Sequence, residues 1–384
     1  MTTLLDETLI DEPINDRTTF VALAASCGPL LDDNAARYDR DGCWAHESFE
    51  HLRERGLLAL GVPVELGGPG ATISDLAAVQ RELARHCGST ALASSMHQHV
   101  TAFTAWRWRR GLPGAEATLR RINDEGIVLV STGGADFTHP RGSAVRTDGG
   151  FLVSGRKIFV SQSPAGTVMS TMFPYDDPER GLRVLNMAVP LASPGVEVIE
   201  TWDAMGMRGT ASNDVQLTDV FVPDERVLAD RPHGVVDPPL QVILSVAFPI
   251  ISAVYLGIAE GARDHVVTLL DGRRDDVVVQ RQLGLIDARL RVAGWALEGA
   301  LRAVGDDPQP SMSMVADVMA MKREVALAGI EVCDLAMELA GGSAFFKGSP
   351  IERAYRDIRA AKFHPFSPEA TLVHAGRLAL GLEA

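Results

Sequence analysis

Between residues 126 and 228 the sequence changes period. Short β-branched runs alternate with turn signals: "IVLVS", "FLVSG", "KIFVSQ", "LNMAVP", "VEVIE" and "VQLTDVFVP". The "TDGG" between "SAVR" and "FLVSG" reads as a hairpin turn. Six or so strands at this spacing predict a β-barrel or sandwich of about a hundred residues. On both sides the apolar residues recur at helical steps, as in "DLAAVQRELARHC" and "EATLRRI" before the block. After it come "QRQLGLIDARLRVAGWALEGALRAV" and "MVADVMAMKREVALAGIEVCDLAMELAGG", the second stopped by Gly341 and Gly342. The expected architecture is α+β in three parts: a helical domain over 1–125, a β-barrel domain over 126–235 and a helical bundle over 236–384. In the first part the glycine-rich loop "GVPVELGGPGATISDL" closes on Ser74, the predicted N-cap of the next helix.

Residues 241–259, "QVILSVAFPIISAVYLGIA", are apolar enough to cross a membrane. Pro249 interrupts them and no basic anchor precedes them, so a helix buried on all sides of a bundle is expected. The net charge of −14 argues against nucleic acid or an anionic membrane as partner. Four scattered cysteines form no CxxC pair; they predict no metal site and suit a reducing cytoplasm. The acidic start, "MTTLLDETLIDEPIND", lacks the basic region of a signal peptide.

Four motifs, in this order, resemble the acyl-CoA dehydrogenase superfamily of flavoproteins over nearly the whole chain. They are the loop "GVPVELGGPGATISD", the segment "VSGRKIFVSQS", the run "WDAMGMRGTASNDVQLTDVFVPDERVL" and the stretch "ELAGGSAFFKGSPIERAYRDIRA". The resemblance implies a flavin cofactor, FAD or FMN, with Phe159 and Ser161 beside its ring and Gly341 and Gly342 near an adenosine half. It also implies a homotetramer. A serine hydroxyl can donate or accept at a flavin nitrogen, and paired glycines admit close backbone approach.

Two departures matter. Fatty acyl-CoA dehydrogenases carry a glutamate base after the arginine–aspartate motif; gapless alignment of "RDIRAAKFHPFS" puts Pro365 there, with His364 at the family's preceding tyrosine and Ser367 at its threonine. Arg377 then falls on the family's helix arginine. The first bundle helix offers no substitute carboxylate, since Asp237 and Glu260 lie off its "LQVILSVAFPII" stretch. Glu369 reads as a helix start behind Ser367 and Pro368. His364 matches the histidine of the superfamily's flavin-dependent monooxygenases, where it faces the flavin. A histidine there can position substrate or move a proton at neutral pH. His97 and His99 are weaker candidates: two apart on a helix, at most one faces the site.

Second, "LLDGRRDDVVVQRQLG" keeps Gln280 but lacks the RxxFG that reaches a neighbouring subunit's flavin. An enzyme supplied with reduced flavin by a separate reductase tolerates that loss. The expected function is an oxygen-using monooxygenase or oxidase working through a flavin C4a-hydroperoxide, with His364 and Ser161 catalytic, on a small-molecule or acyl-thioester substrate. The alternatives are an acyl-CoA or acyl-carrier-protein dehydrogenase with a relocated base, and a non-catalytic paralogue that binds partners.

Overall fold

The computed structural model describes residues 17–382. The acidic start read above for signal-peptide character lies outside them. Six helices come first: α1 (Arg17–Ser26), α2 (Gly28–Asp41), α3 (His46–Glu54), α4 (Ile73–His86), α5 (Gly88–Arg109) and α6 (Ala115–Glu125). The strands follow as β1 (Leu129–Ser131), β2 (Ser143–Thr147), β3 (Gly150–Val160), β4 (Val168–Asp177), β5 (Gly181–Pro190), β6 (Val196–Ile199), β7 (Asn213–Pro223) and β8 (Val227–Pro232), with a one-turn helix α7 (Gly133–Asp136) after β1. Five more helices complete the chain: α8 (Pro238–Thr268), α9 (Val277–Val304), α10 (Met312–Ala340), α11 (Pro350–Asp357) and α12 (Pro368–Ala379).

The strands form two four-stranded sheets, ordered β1-β4-β5-β8 and β2-β3-β7-β6. Their inner faces share one core, with Phe151 and Val153 of one sheet and Phe173 and Leu185 of the other. "FLVSG" and "KIFVSQ", expected as separate strands, belong to one strand, β3. Its pairing with β7 shifts register at Val153/Gly155 and again at Lys157/Val160. Such bulges bend a strand without ending it, which breaks the alternation that sequence reading depends on. The N-cap of α4 also differs from expectation. It is Thr72, whose hydroxyl accepts from the Asp75 amide while the Asp75 carboxylate accepts from the Thr72 amide. This reciprocal box satisfies two free amides at once, an option Ser74 does not have.

Helix α8 is the apolar segment of residues 241–259 extended in both directions, and 94% of its most apolar window is buried inside the protein. It starts on the Asp237 side chain, which accepts from the Leu240 amide at 3.2 Å, with Pro238 in the first turn. Gly257 and Gly261 put α4 against it at backbone distance: a Cβ at either would overlap the carbonyl oxygens of Arg81 or Arg85. Those two arginines then pair with Glu260 and Asp264 on α8. The β region docks on the bundle where Met207 N donates to Asp357 Oδ1 at 2.5 Å. Beside this contact, Arg356 is held by Glu352 and by Asp39 of α2.

Candidate active site

A cavity of about 200 Å³ lies between α5, α8 and the sheet that contains β1 and β4. Its walls are mostly apolar, with Val100 and Phe103 from α5 and Phe248 and Ile251 from α8. His99 and His364 supply imidazoles to it.

His364 sits in the loop between a 3-10 turn at Ile358–Lys362 and α12. Its Nε2 lies 2.5 Å from the hydroxyl of Tyr255, a buried residue of α8. That hydroxyl has no other partner among the described residues. If Nε2–H donated to it, the buried O–H would lack an acceptor. We therefore assign the phenol as donor, Nε2 as acceptor and the imidazole proton to Nδ1. The main chain of the loop is fixed by Lys322 of α10, whose ammonium donates to the carbonyls of His364 at 2.9 Å and Phe366 at 2.7 Å. Burial lowers the imidazole pKa to about 3, with the charge of Lys322 acting the same way. Burial likewise brings Lys322 down to about 8. His364 is thus neutral at physiological pH, and its Nδ1–H has no protein acceptor among the described residues.

The α5 histidines separate as helix geometry requires. His97 points away from the cavity; its Nε2 donates to the Leu58 carbonyl at 2.9 Å and its Nδ1 accepts from the Leu129 amide at 3.0 Å. It ties β1 to α5. His99 lines the cavity, with Nδ1 donating to the Ser95 carbonyl at 3.0 Å, so its Nε2 is an acceptor. Burial lowers both to about 4.

Ser161 and Phe159 are outside the residues that line this cavity. Ser161 follows β3 and opens a hydroxyl chain: 2.8 Å to Ser212, then 2.7 Å from Ser212 to Thr210, which donates to the Met207 carbonyl. Phe159 is 61% exposed, at φ 57°, with Trp202 packed edge-on at 6.0 Å between centroids. An uncovered aromatic ring beside a serine with a spare lone pair fits one face of a planar, polar-edged ring such as a flavin. Gly341 caps α10 at φ 72°, and a Cβ on it or on Gly342 would meet nothing within 4 Å. Gln280 is in the first turn of α9, donating to the Arg274 carbonyl. Glu369 is exposed behind the Ser367 cap, which accepts from the Ala370 amide at 3.2 Å.

Tyr255 and Lys322 escaped the sequence reading, although both carry a signal. Tyr255 is the one hydroxyl-bearing aromatic in the apolar run of α8. Lys322 occupies the core stripe Val315, Val318, Val325 of α10, where a charge needs a reason.

Comparison with known proteins finds three family models along the chain: the acyl-CoA dehydrogenase N-terminal domain at residues 26–108, middle domain at 131–220 and C-terminal domain at 249–368. An L-evernosamine nitrososynthase of Micromonospora sp. is 30% identical, covering 95% of this chain and 90% of its own. A putative acyl-CoA dehydrogenase of Bacillus subtilis, YdbM, is also 30% identical, over 90% of this chain and 93% of its own. The solved structure of KijD3 with FMN and dTDP-3-amino-2,3,6-trideoxy-4-keto-3-methyl-D-glucose superposes with a TM-score of 0.88 at 29% identity, covering 97% of this chain and 95% of that one.

Proposed function

The chain belongs to the acyl-CoA dehydrogenase superfamily and is a flavin-dependent oxidoreductase; from there we propose that it is an oxygen-using monooxygenase of a small organic molecule. The observation that carries this reading is the polar content of the cavity. Its one carboxylate among the described residues is Asp237, already engaged as the cap of α8. Glu260 is paired with Arg81, and Glu369 is exposed on α12. A dehydrogenase needs a base strong enough to remove a proton next to the thioester carbonyl. The cavity offers a neutral imidazole instead, and His364, its pKa lowered to about 3 by burial and Lys322, is a poor base.

When bound, the flavin supplies the electrons and the means of activating oxygen. Phe159 and Ser161 would hold one side of its ring, with Gly341 and Gly342 near any adenosine half. His364 offers Nδ1–H to an oxygen atom at the reacting centre, Tyr255 keeps that proton on Nδ1, and Lys322 fixes the loop. A donor aimed at developing charge in a dry site is worth more than the same donor in water. The apolar walls from α5 and α8 exclude the water that would divert activated oxygen to peroxide. The missing RxxFG supports loose flavin binding and supply of reduced flavin by a separate reductase. Assembly as a homotetramer rests on the family resemblance, and a cytoplasmic location on the scattered, unpaired cysteines.

The test pairs two measurements. Anaerobic acyl-CoA should leave the visible absorbance of the flavin-loaded protein unchanged, while reductase and NADH should drive oxygen uptake that depends on substrate. Bleaching by acyl-CoA without oxygen would instead establish the dehydrogenase reading that the name of the B. subtilis relative favours.

A further inference from the structure

The ionised side chains that line the cavity, among the described residues, are Arg107, Arg231 and Asp237. Two positive charges and one negative leave the cavity one positive charge in excess, with His99 and His364 neutral. The excess has an address. Arg231 lies 3.9 Å from Asp237 and donates to the Phe137 carbonyl. Arg107, only 8% exposed, has a guanidinium that makes one hydrogen bond among the described residues, to the Pro113 carbonyl at 3.2 Å, and no carboxylate within salt-bridge distance among them. The equally buried Arg356, by contrast, is held by two carboxylates. A guanidinium taken out of water without a counter-charge is costly, and its planar fork suits an oxyanion. Burial alone lowers the pKa of Arg107, with no acidic neighbour opposing it.

Position adds a length. Arg107 is eight residues along α5 from His99, a rise of about 12 Å at 1.5 Å per residue. Val100 and Phe103 cover the interval with apolar surface. At the other end His99 is near enough to His364 to act on its charge.

Resting on the assignment of this cavity as the substrate site, we propose that the substrate is an elongated amphiphile with a single carboxylate or sulfonate seated on Arg107. Its apolar middle lies along α5, and its reacting atom is at the His364 end.

The probes are decanoate, decanamide and decylamine, equal in chain length and different in charge, titrated against the full chain by calorimetry without added flavin. Decanoate should bind at least tenfold more tightly than the amide or the amine, and butyrate, too short to cover the apolar interval, should bind weakly. Arg107→Gln should bring acid and amide together, while Arg107→Lys should keep the preference. Equal or tighter binding of decanamide or decylamine to the unaltered chain overturns the proposal, as does a preference that survives Arg107→Gln. The comparison on the unaltered chain decides the matter even if a variant fails to fold. Neither oxygen nor flavin enters this measurement. Its failure therefore removes the anion alone, and a chain that prefers decanoate yet never binds flavin would remove the redox reading alone.

Discussion

The Tyr255 hydroxyl meets His364 Nε2 at 2.5 Å, joining the longest helix of the bundle to a loop 109 residues later. The bond decides which imidazole nitrogen carries the proton. Tyr255→Phe should leave the chain folded and free the ring to exchange tautomers. Losing a neutral hydrogen bond is worth about 0.5–1.5 kcal/mol, so turnover should fall roughly three- to tenfold. Nitrogen NMR of the imidazole supplies the readout that a structural role would not move: one Nδ1–H tautomer before the substitution and a mixture after it.

His364→Ala should cut turnover by about 10²–10⁴, with reducing equivalents released as hydrogen peroxide. Glu369→Gln should keep the cap at Ser367 and lose only a charge–dipole interaction of about 0.3–1 kcal/mol. An inert His364→Ala with a folded, inactive Glu369→Gln would make the glutamate the base.

Lys322→Met should loosen the loop without unfolding the protein. The two carbonyl bonds are lost, but so is the cost of burying an ammonium with no carboxylate partner among the described residues, and the two effects offset each other. Faster amide exchange at Phe363, His364, Phe366 and Ser367 with a nearly unchanged unfolding midpoint is expected. A large drop in the midpoint would mean that the lysine supports the bundle rather than the loop.

Stability should fall as the solution is acidified. His97 and His99 have folded pKa values of about 4, below the ordinary 6.5. The unfolded chain therefore binds more protons between those values, and acid favours it. By pH 5 each contributes a loss of about 2 kcal/mol relative to pH 7. His364, lowered to about 3, adds to the loss. The buried Asp357, raised to about 6, offsets part of it, and His86, raised by its bond to Asp32, opposes it weakly at the surface. Urea unfolding at pH 7 and pH 5 measures the difference, and equal stabilities would contradict the burial of the two α5 histidines.

Purified protein should hold flavin below one equivalent and bind the reduced form more tightly than the oxidised. Stoichiometric FAD that survives dialysis would argue for a permanent cofactor and against a separate reductase.

Local chemistry was legible in the sequence; contacts across the fold were not. Ser367, Pro368 and Glu369 announce the start of α12 because a cap needs only adjacent residues. The burial of α8 could be read from its all-round apolarity, and the division of labour between His97 and His99 from helical spacing. The bulges in β3 hid its length, since a two-residue period cannot survive an inserted residue. Tyr255 and Lys322 could be suspected but not assigned: their partner at His364 is 109 and 42 residues away, and no short pattern encodes such a distance. Arg107 was harder still, because the absence of a carboxylate around a buried cation, among the described residues, is visible only in three dimensions.

The Lys322 clamp closes on main-chain oxygens, which every amino acid carries. The exposed Phe363 can therefore be exchanged for other residues while the loop stays anchored at the same two points, whereas Phe366 also stacks on His374 at 5.6 Å between ring centroids. For selection, and for an engineer, this makes the segment an interchangeable cassette. Around a fixed His364, the neighbouring cavity position Pro365 can be re-sampled while the mount beneath it stays in place, with the bundle that supplies the lysine untouched.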